Sequence, residues 1–236
     1  MKLGIMQPYF FPYIGYFQLI NEVDEFILFD TPQFIRHGWI ERNQIQKING
    51  EPLYIKVPLN KHSRNNAIKD VQIKEDEKWK DKILAQLMPY KKKSSNYHKV
   101  IELLKESWIE ETNSIVKLNY NTLKAICTYL DINTPIKIWS EMNIDIEQVN
   151  APDEWALSIC NALGAESYYN PSGGLSFFDK EKYIKKNIEL KFIKNKEVAY
   201  KQFSNDFLPN LSIIDIMMLV PQSEIKEMLK EFSIVE

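Results

Sequence analysis

Glycine is scarce in this chain, with seven in 236 residues. Few loops can cradle a phosphate through glycine amides, so the adjacent pair Gly173-Gly174 stands out. Histidine occurs three times and cysteine twice. Cys127 and Cys160 sit inside apolar helical patterns, and the scattered histidines add no ligand spacing. No structural metal is therefore expected, and both thiols read as small core groups in a reducing compartment, without a disulfide between them. No apolar run approaches the roughly 20 residues a membrane helix needs. An excess of one charge is missing too, because 30 basic residues face 32 acidic ones. That balance gives no global reason to expect nucleic acid or a membrane surface as partner. The chain opens directly on a strand pattern, so no leader and a cytoplasmic location are expected.

What the chain does have is aromatic residues set among prolines near its start. Residues 3–6 are a short apolar run that stops at Gln7-Pro8. Pro8 and Pro12 exclude a helix or a central strand there. An amphipathic helix follows over 14–23. The segment parses as strand, rigid loop, helix, and ligands of α/β sheets bind beyond the carboxyl ends of strands. Tyr9, Phe10, Phe11, Tyr13 and Tyr16 read as exposed pocket walls, with a plug at the end of the sheet as the alternative.

Strand patterns recur at 25–29, 53–59, 136–139, 167–170 and 189–193, with 33–49 irregular and a short hairpin into 53–59 as the alternative there. Helical spacing covers 79–87, 97–107, 112–130, 155–163, 180–186, 211–220 and 223–232. Gly164 is placed to end one of these helices. Strands alternating with helices predict an α/β parallel sheet in one domain over 1–236, with a helical insertion at 79–130 and C-terminal helices. A chain of this length can bury its core unaided.

Three loops would meet if the strands near 3–6, 25–29 and 167–170 are neighbours. The first offers Gln7 and the tyrosines. The second, 34–43, holds Arg36, Trp39, Arg42 and Asn43, where arginines suit phosphates or carboxylates and Trp39 suits stacking on a base, a sugar or an acyl-carrier arm. His37 is the best base by intrinsic pKa, and Glu141 follows a strand on the same edge. A solvated loop with one packed Trp is the alternative reading. The third loop offers Ser172, Gly173 and Gly174, whose amides can turn toward an anion, although no Walker or dinucleotide pattern is present. Asp215, alone in the apolar run LSIIDIMML, needs a partner and reads as a brace for an arginine or a helix N-terminus.

The opening QPYFFPYIGYFQLI, the W-x-x-R-N at 39–43, YNPSGG and LSIID together resemble the WbqC-like family over essentially the whole chain. The resemblance implies bacterial surface-polysaccharide (O-antigen, lipopolysaccharide) biosynthesis. A more distant similarity, F-x-P-x-x-G-x after the first strand, is to adenylyl- and cytidylyltransferases. It implies a Rossmann-like sheet, but Tyr13 and Tyr16 occupy the places of both H-x-G-H histidines. The expected function is acyl or aminoacyl transfer to a nucleotide-linked amino sugar. Aromatics would stack on the ligand, Arg36, Arg42 and Gly173-Gly174 would hold phosphates, and His37 or Glu141 would take the proton from the amine. A nucleotidyltransferase with a displaced cation and a non-catalytic binding protein are the other readings. The expected partners are a phosphate-containing small molecule, foremost a nucleotide sugar, and an acyl carrier; the cofactor stays unassigned.

Overall fold

Alternating side chains set up the central sheet. Leu3 and Ile5 share an apolar cluster with Ile27, Tyr168, Leu190 and Phe192. Phe26, Leu28, Tyr169 and Ile193 lie in a second, larger cluster. The period of two sends alternate residues to opposite faces, so both faces of one sheet are buried. The computed structural model describes residues 1–75 and 78–235. Its strands are β1 (Lys2–Met6), β2 (Glu25–Leu28), β3 (Arg42–Gln46), β4 (Pro52–Lys56), β5 (Ile136–Ile138), β6 (Ser167–Pro171), β7 (Glu189–Asn195) and β8 (Phe232–Val235). The helices are α1 (Ile14–Glu22), α2 (Trp79–Leu87), α3 (Tyr97–Ser107), α4 (Ile115–Tyr129), α5 (Glu154–Leu163), α6 (Lys180–Lys185), α7 (Ile213–Leu219) and α8 (Gln222–Met228).

The six-stranded sheet runs β5-β2-β1-β6-β7-β8. All of its pairings are parallel except the antiparallel β7–β8. Helix α1 contributes Tyr16, Phe17, Leu19 and Ile20 to the larger cluster, and α5 contributes Ala156, Leu157, Ile159 and Cys160 to the other. Helices therefore cover both faces, as in a Rossmann-like α/β fold. The chain moves from β1 outward to β2 and β5, then returns to place β6 beside β1. That reversal creates a crevice at the carboxyl edge of the sheet. Gly164 caps α5 at φ 65°, a left-handed conformation open to glycine.

Helices α2, α3 and α4 pack onto the larger cluster through residues such as Ile83, Leu104 and Leu123. Rings of the aromatic loop enter it as well. Phe10 meets Trp79 edge-on at 6.5 Å, and Phe11 meets Trp108 at 6.2 Å. Phe10, Phe11 and Tyr16 are fully buried. This corrects their expected exposure, because the helices arriving from 79–130 cover the loop. Tyr9 and Tyr13 stay half-buried. Cys127 and Cys160 are buried free thiols, and burial pushes the Cys127 thiol up to about 12.

The short hairpin out of 33–49 is present: residues 42–46 form β3, which pairs antiparallel with β4. Arg-Asn-Gln-Ile-Gln lacks an alternating apolar signature, and the partner strand supplies the pattern. Two other expectations need correction. The strand read at 53–59 ends at Lys56 and belongs to that hairpin, not to the central sheet. The last helix stops at Met228, and Phe232–Val235 adds an edge strand to β7.

The buried loop has no ladder to satisfy its carbonyls. Asn119 of α4 donates to Pro8 O (2.8 Å) and Ile40 O (2.9 Å). Asn119→Ala leaves both acceptors without that donor in an apolar setting. It should cost about 2–4 kcal/mol, seen as a lower urea midpoint at unchanged slope. A loss below roughly 0.5 kcal/mol, the level of an ordinary surface change, would show that the amide does not hold the loop.

Candidate functional site

A cleft of about 470 Å³ opens at the carboxyl edge, where the direction of winding reverses. One wall is Tyr13 and Ile14, where loop 7–13 enters α1. Pro171, Ser172 and Gly173 at the end of β6 form another. The end of β7 adds Lys194 and Asn195, and the irregular segment 196–211 closes the remaining side with residues including Lys196, Tyr200 and Phe207. Helix α1 has no acidic residue in its first turn and no side-chain cap. Its first amides and Lys194 favour negative charge locally, while Lys196 is paired with Glu231 at 3.4 Å and Glu197 adds a carboxylate to the same lining.

Gly15 permits this arrangement. A Cβ there would fall 1.9 Å from Asn195 Nδ2 and 2.4 Å from the Tyr13 ring. The absence of a side chain lets the Asn195 amide lie against the start of α1. Burial pushes the Tyr13 phenol up, and its hydrogen bond with Asn195 acts the other way.

Loop 7–13 is held by distant elements. Asn43 Nδ2 donates to Phe10 O (3.0 Å) and Phe11 O (2.8 Å). Ser212 Oγ also donates to Phe11 O, at 2.8 Å. Phe10 N donates to Trp39 O, and Ile213 N to Pro12 O. These bonds hold Phe11 at φ 42°, which a bulky residue rarely adopts. Tyr16 Oη donates to Gln7 O (2.8 Å), so Tyr16 positions the loop from the core and presents no surface to a ligand.

Strands β2, β1 and β6 are neighbours in that order, and the first and third loops share the cleft. The second does not reach it. Of the expected site residues only Tyr13, Ser172 and Gly173 line this cleft; Gln7, Tyr9, Tyr16, Arg36, His37, Trp39, Arg42, Asn43, Glu141 and Gly174 do not. Arg42 spans the turn before it, donating to His37 O (2.5 Å) and Gly38 O (3.4 Å) with its guanidinium 4.3 Å over the Tyr54 ring. Arg36 donates to His62 O (3.2 Å). His37 is exposed at φ 63°, its amide donating to Glu41 Oε1 (3.0 Å). Trp39 keeps 41% of its surface exposed. Asn43 is buried as a brace. Glu141 is exposed and paired with Lys117 at 2.7 Å. Gly173 and Gly174 form a 3-10 turn with Ser172, and neither has positive φ, so they build no left-handed anion nest. Gly174 instead admits Asn170, whose Oδ1 would lie 2.6 Å from a Cβ.

Two buried carboxylates flank this edge of the fold. Asp30, just after β2, accepts from Ser140 N (3.0 Å) and Ser140 Oγ (2.6 Å), and burial raises its pKa against those bonds. Asp215, fully buried in α7, accepts from Tyr200 Oη (2.7 Å), Gln46 N (3.0 Å) and Tyr90 Oη. Its partners are thus two phenols and an amide, not the expected arginine or helix N-terminus. Tyr90 and Tyr200 lie far from it in sequence and belong to no motif. Burial raises Asp215, and the three donors oppose the shift. Among the described residues, no cluster of three or more His, Cys, Asp or Glu side chains could hold a metal ion.

Comparison with known proteins agrees with the motifs. The chain belongs to the WbqC-like protein family, whose model matches residues 7–227. It is similar to the uncharacterized protein Rv1507c of Mycobacterium tuberculosis, with 27% identity over 223 residues, covering 93% of this chain and 94% of that one. No solved structure matches it. Among the described residues, no helix is long and apolar enough to cross a membrane.

Two outcomes follow. Gly15→Ala should destabilise by about 1–3 kcal/mol through overpacking, read as a fall in melting temperature, and Asn195→Ala in the same chain should recover part of the loss. Equal losses in the single and double variants would place the clash elsewhere. The second concerns pH. With Asp215 raised in the folded state, the native protein keeps this proton to higher pH than the unfolded chain does. Its stabilising contribution is therefore present at low pH and lost as pH rises from the ordinary carboxylate value of about 4 through the raised one. Wild type should lose stability relative to Asp215→Asn across that window in urea titrations. A difference independent of pH would show that the carboxyl does not titrate there.

Proposed function

We propose that this protein is a transferase of bacterial surface-polysaccharide biosynthesis, moving an acyl or aminoacyl group to the amine of a nucleotide-linked sugar. The sugar–phosphate part of the ligand sits in the cleft beside the ends of β6 and β7, under the start of α1. The observation that carries this reading is that the loops after β1 and β6 line one cleft at the point where the winding reverses, the usual ligand position in open α/β sheets. Lys194 on its wall, together with the uncapped start of α1, favours phosphate oxygens. The Ser172 hydroxyl can add a donor, and the Tyr13 ring offers a face to a sugar or base. Family membership supports the pathway. His37 and Glu141 lie outside the cleft lining, so this reading places binding in the cleft and assigns neither as base.

Thermal shift tests this reading. A nucleotide-linked amino sugar at a hundred times its Kd should stabilise the protein by about 2.7 kcal/mol, more than the free nucleotide does. Lys194→Ala should reduce the effect. Stabilisation by a nucleoside triphosphate with pyrophosphate release on adding a sugar phosphate would replace acyl transfer by nucleotidyl transfer. No shift with any nucleotide sugar would overturn the proposal.

A further inference from the structure

Segments 33–40 and 60–67 hold Arg36, His37, Lys61, His62 and Arg64 and no carboxylate. Of the chain's 30 basic residues, only Arg36, Arg42 and Arg64 are arginines. This sequence uses lysine wherever a point charge suffices, so each guanidinium needs a use for its planar fork. Arg42 has one, spanning a turn with its face over Tyr54. Arg36 spends a donor on His62 O at 3.2 Å. Arg64 serves the fold through its carbonyl, which accepts from Gln33 Nε2 at 2.6 Å, while its side chain is exposed.

The two segments are locked together. Phe34 N donates to Asn66 O (2.9 Å), Gln33 and Ala67 form an antiparallel bridge, and the Phe34 ring meets His62 edge-on at 5.0 Å. A surface fixed in this way pays little ordering entropy when it binds. Arg36, His37, Lys61 and Arg64 are exposed on it. The flanking carboxylates are engaged. Glu41 accepts from His37 N with Oε1 and buries Oε2, and Asp30 is buried against Ser140. Lys69 and Asp70, the next exposed charges, offset each other. Trp39, 41% exposed, adds a ring face, and exposed Ser63 and Asn65 add a hydroxyl and an amide.

We propose that these two loops bind an acidic sugar chain, with Arg36 and Arg64 meeting its carboxylates and Lys61 adding charge. The guanidinium fork matches a carboxylate by paired N–H donors. The indole suits the apolar face of a sugar ring, and Ser63 and Asn65 suit its hydroxyls. A nucleic acid fits less well, because the chain as a whole is net −2 with a pI of about 6.0. The inference stands apart from the reading of the cleft, which neither loop lines.

Calorimetry on the full chain tests it, with tetragalacturonate as probe and neutral maltotetraose as control. Wild type should bind the acidic tetramer more tightly by roughly tenfold or more, the size of one charge-assisted hydrogen bond. Arg64→Ala should weaken that binding by about as much. Arg64→Lys, which keeps the charge and loses the fork, should lose most of the same affinity. Both variants should melt with wild type, because the side chain is exposed. Wild-type affinity in Arg64→Lys would reduce the site to unspecific charge attraction and overturn the inference. Equal binding of the two tetramers, no binding of tetragalacturonate, or no loss in Arg64→Ala also overturns it. Tighter binding of octathymidylate than of tetragalacturonate would replace the sugar chain by nucleic acid. None of these outcomes bears on the cleft.

Discussion

Burying an irregular loop leaves peptide groups with no ladder to join, and each unpaired one opposes folding. Residues 8–12 meet that constraint with borrowed donors. Asn119 from α4, Asn43 from β3 and Ser212 at the start of α7 donate to carbonyls of Pro8, Phe10 and Phe11. The amide of Ile213 donates to Pro12 O. The helical block, the hairpin and the C-terminal helices are thereby tied to one short turn after β1. The turn in turn fixes how α1 leaves the sheet, and so where Tyr13 and Gly15 stand beside the cleft.

The cleft inherits its shape from elements that never touch a ligand. Gln46 uses both its backbone amide and its side chain, meeting Asp215 with the first and Phe203 with the second. Through these bonds the β3–β4 hairpin holds the segment that forms the cleft's outer wall. Tyr90, from the turn after α2, reaches the same carboxylate. Asp215 thus joins the hairpin, the helical block and the cleft wall at one buried point. A network of that kind is rigid when every member is satisfied and weak when one is not. Arg42 does comparable work on the hairpin's other side, where its guanidinium covers Tyr54 and spans the turn holding His37.

The expected site was legible in part, and the parts divide by physical cause. Proline positions and the apolar run before them located the first loop, because proline's fixed φ and missing N–H exclude regular structure whatever surrounds it. Alternation of strands and helices located the sheet. Strand adjacency brought the first and third loops together. Arg36, Arg42 and Trp39 have the chemistry of ligand-binding residues, but that chemistry equally serves a turn. Arg42 uses its donors on backbone carbonyls instead. Asn43 likewise satisfies the loop rather than solvent. The Tyr90–Asp215–Tyr200 group had no signal beyond a lone acid in an apolar helix, since its members are 125 and 15 residues from that acid.

By itself the sequence determined the class of fold, the helix that Gly164 ends, the rigid loop after the first strand and the family. Each follows from local periodicity, proline and glycine geometry, or motif order, which do not depend on distant partners. Tertiary structure alone decided that the aromatic rings turn inward, which residues of 33–49 pair in the hairpin, that the last residues add an edge to the sheet and that the cleft lies beside the ends of β6 and β7. Those outcomes depend on which surfaces meet. A ring is buried, a polar strand paired or a carboxylate balanced only when a segment far along the chain arrives to cover it.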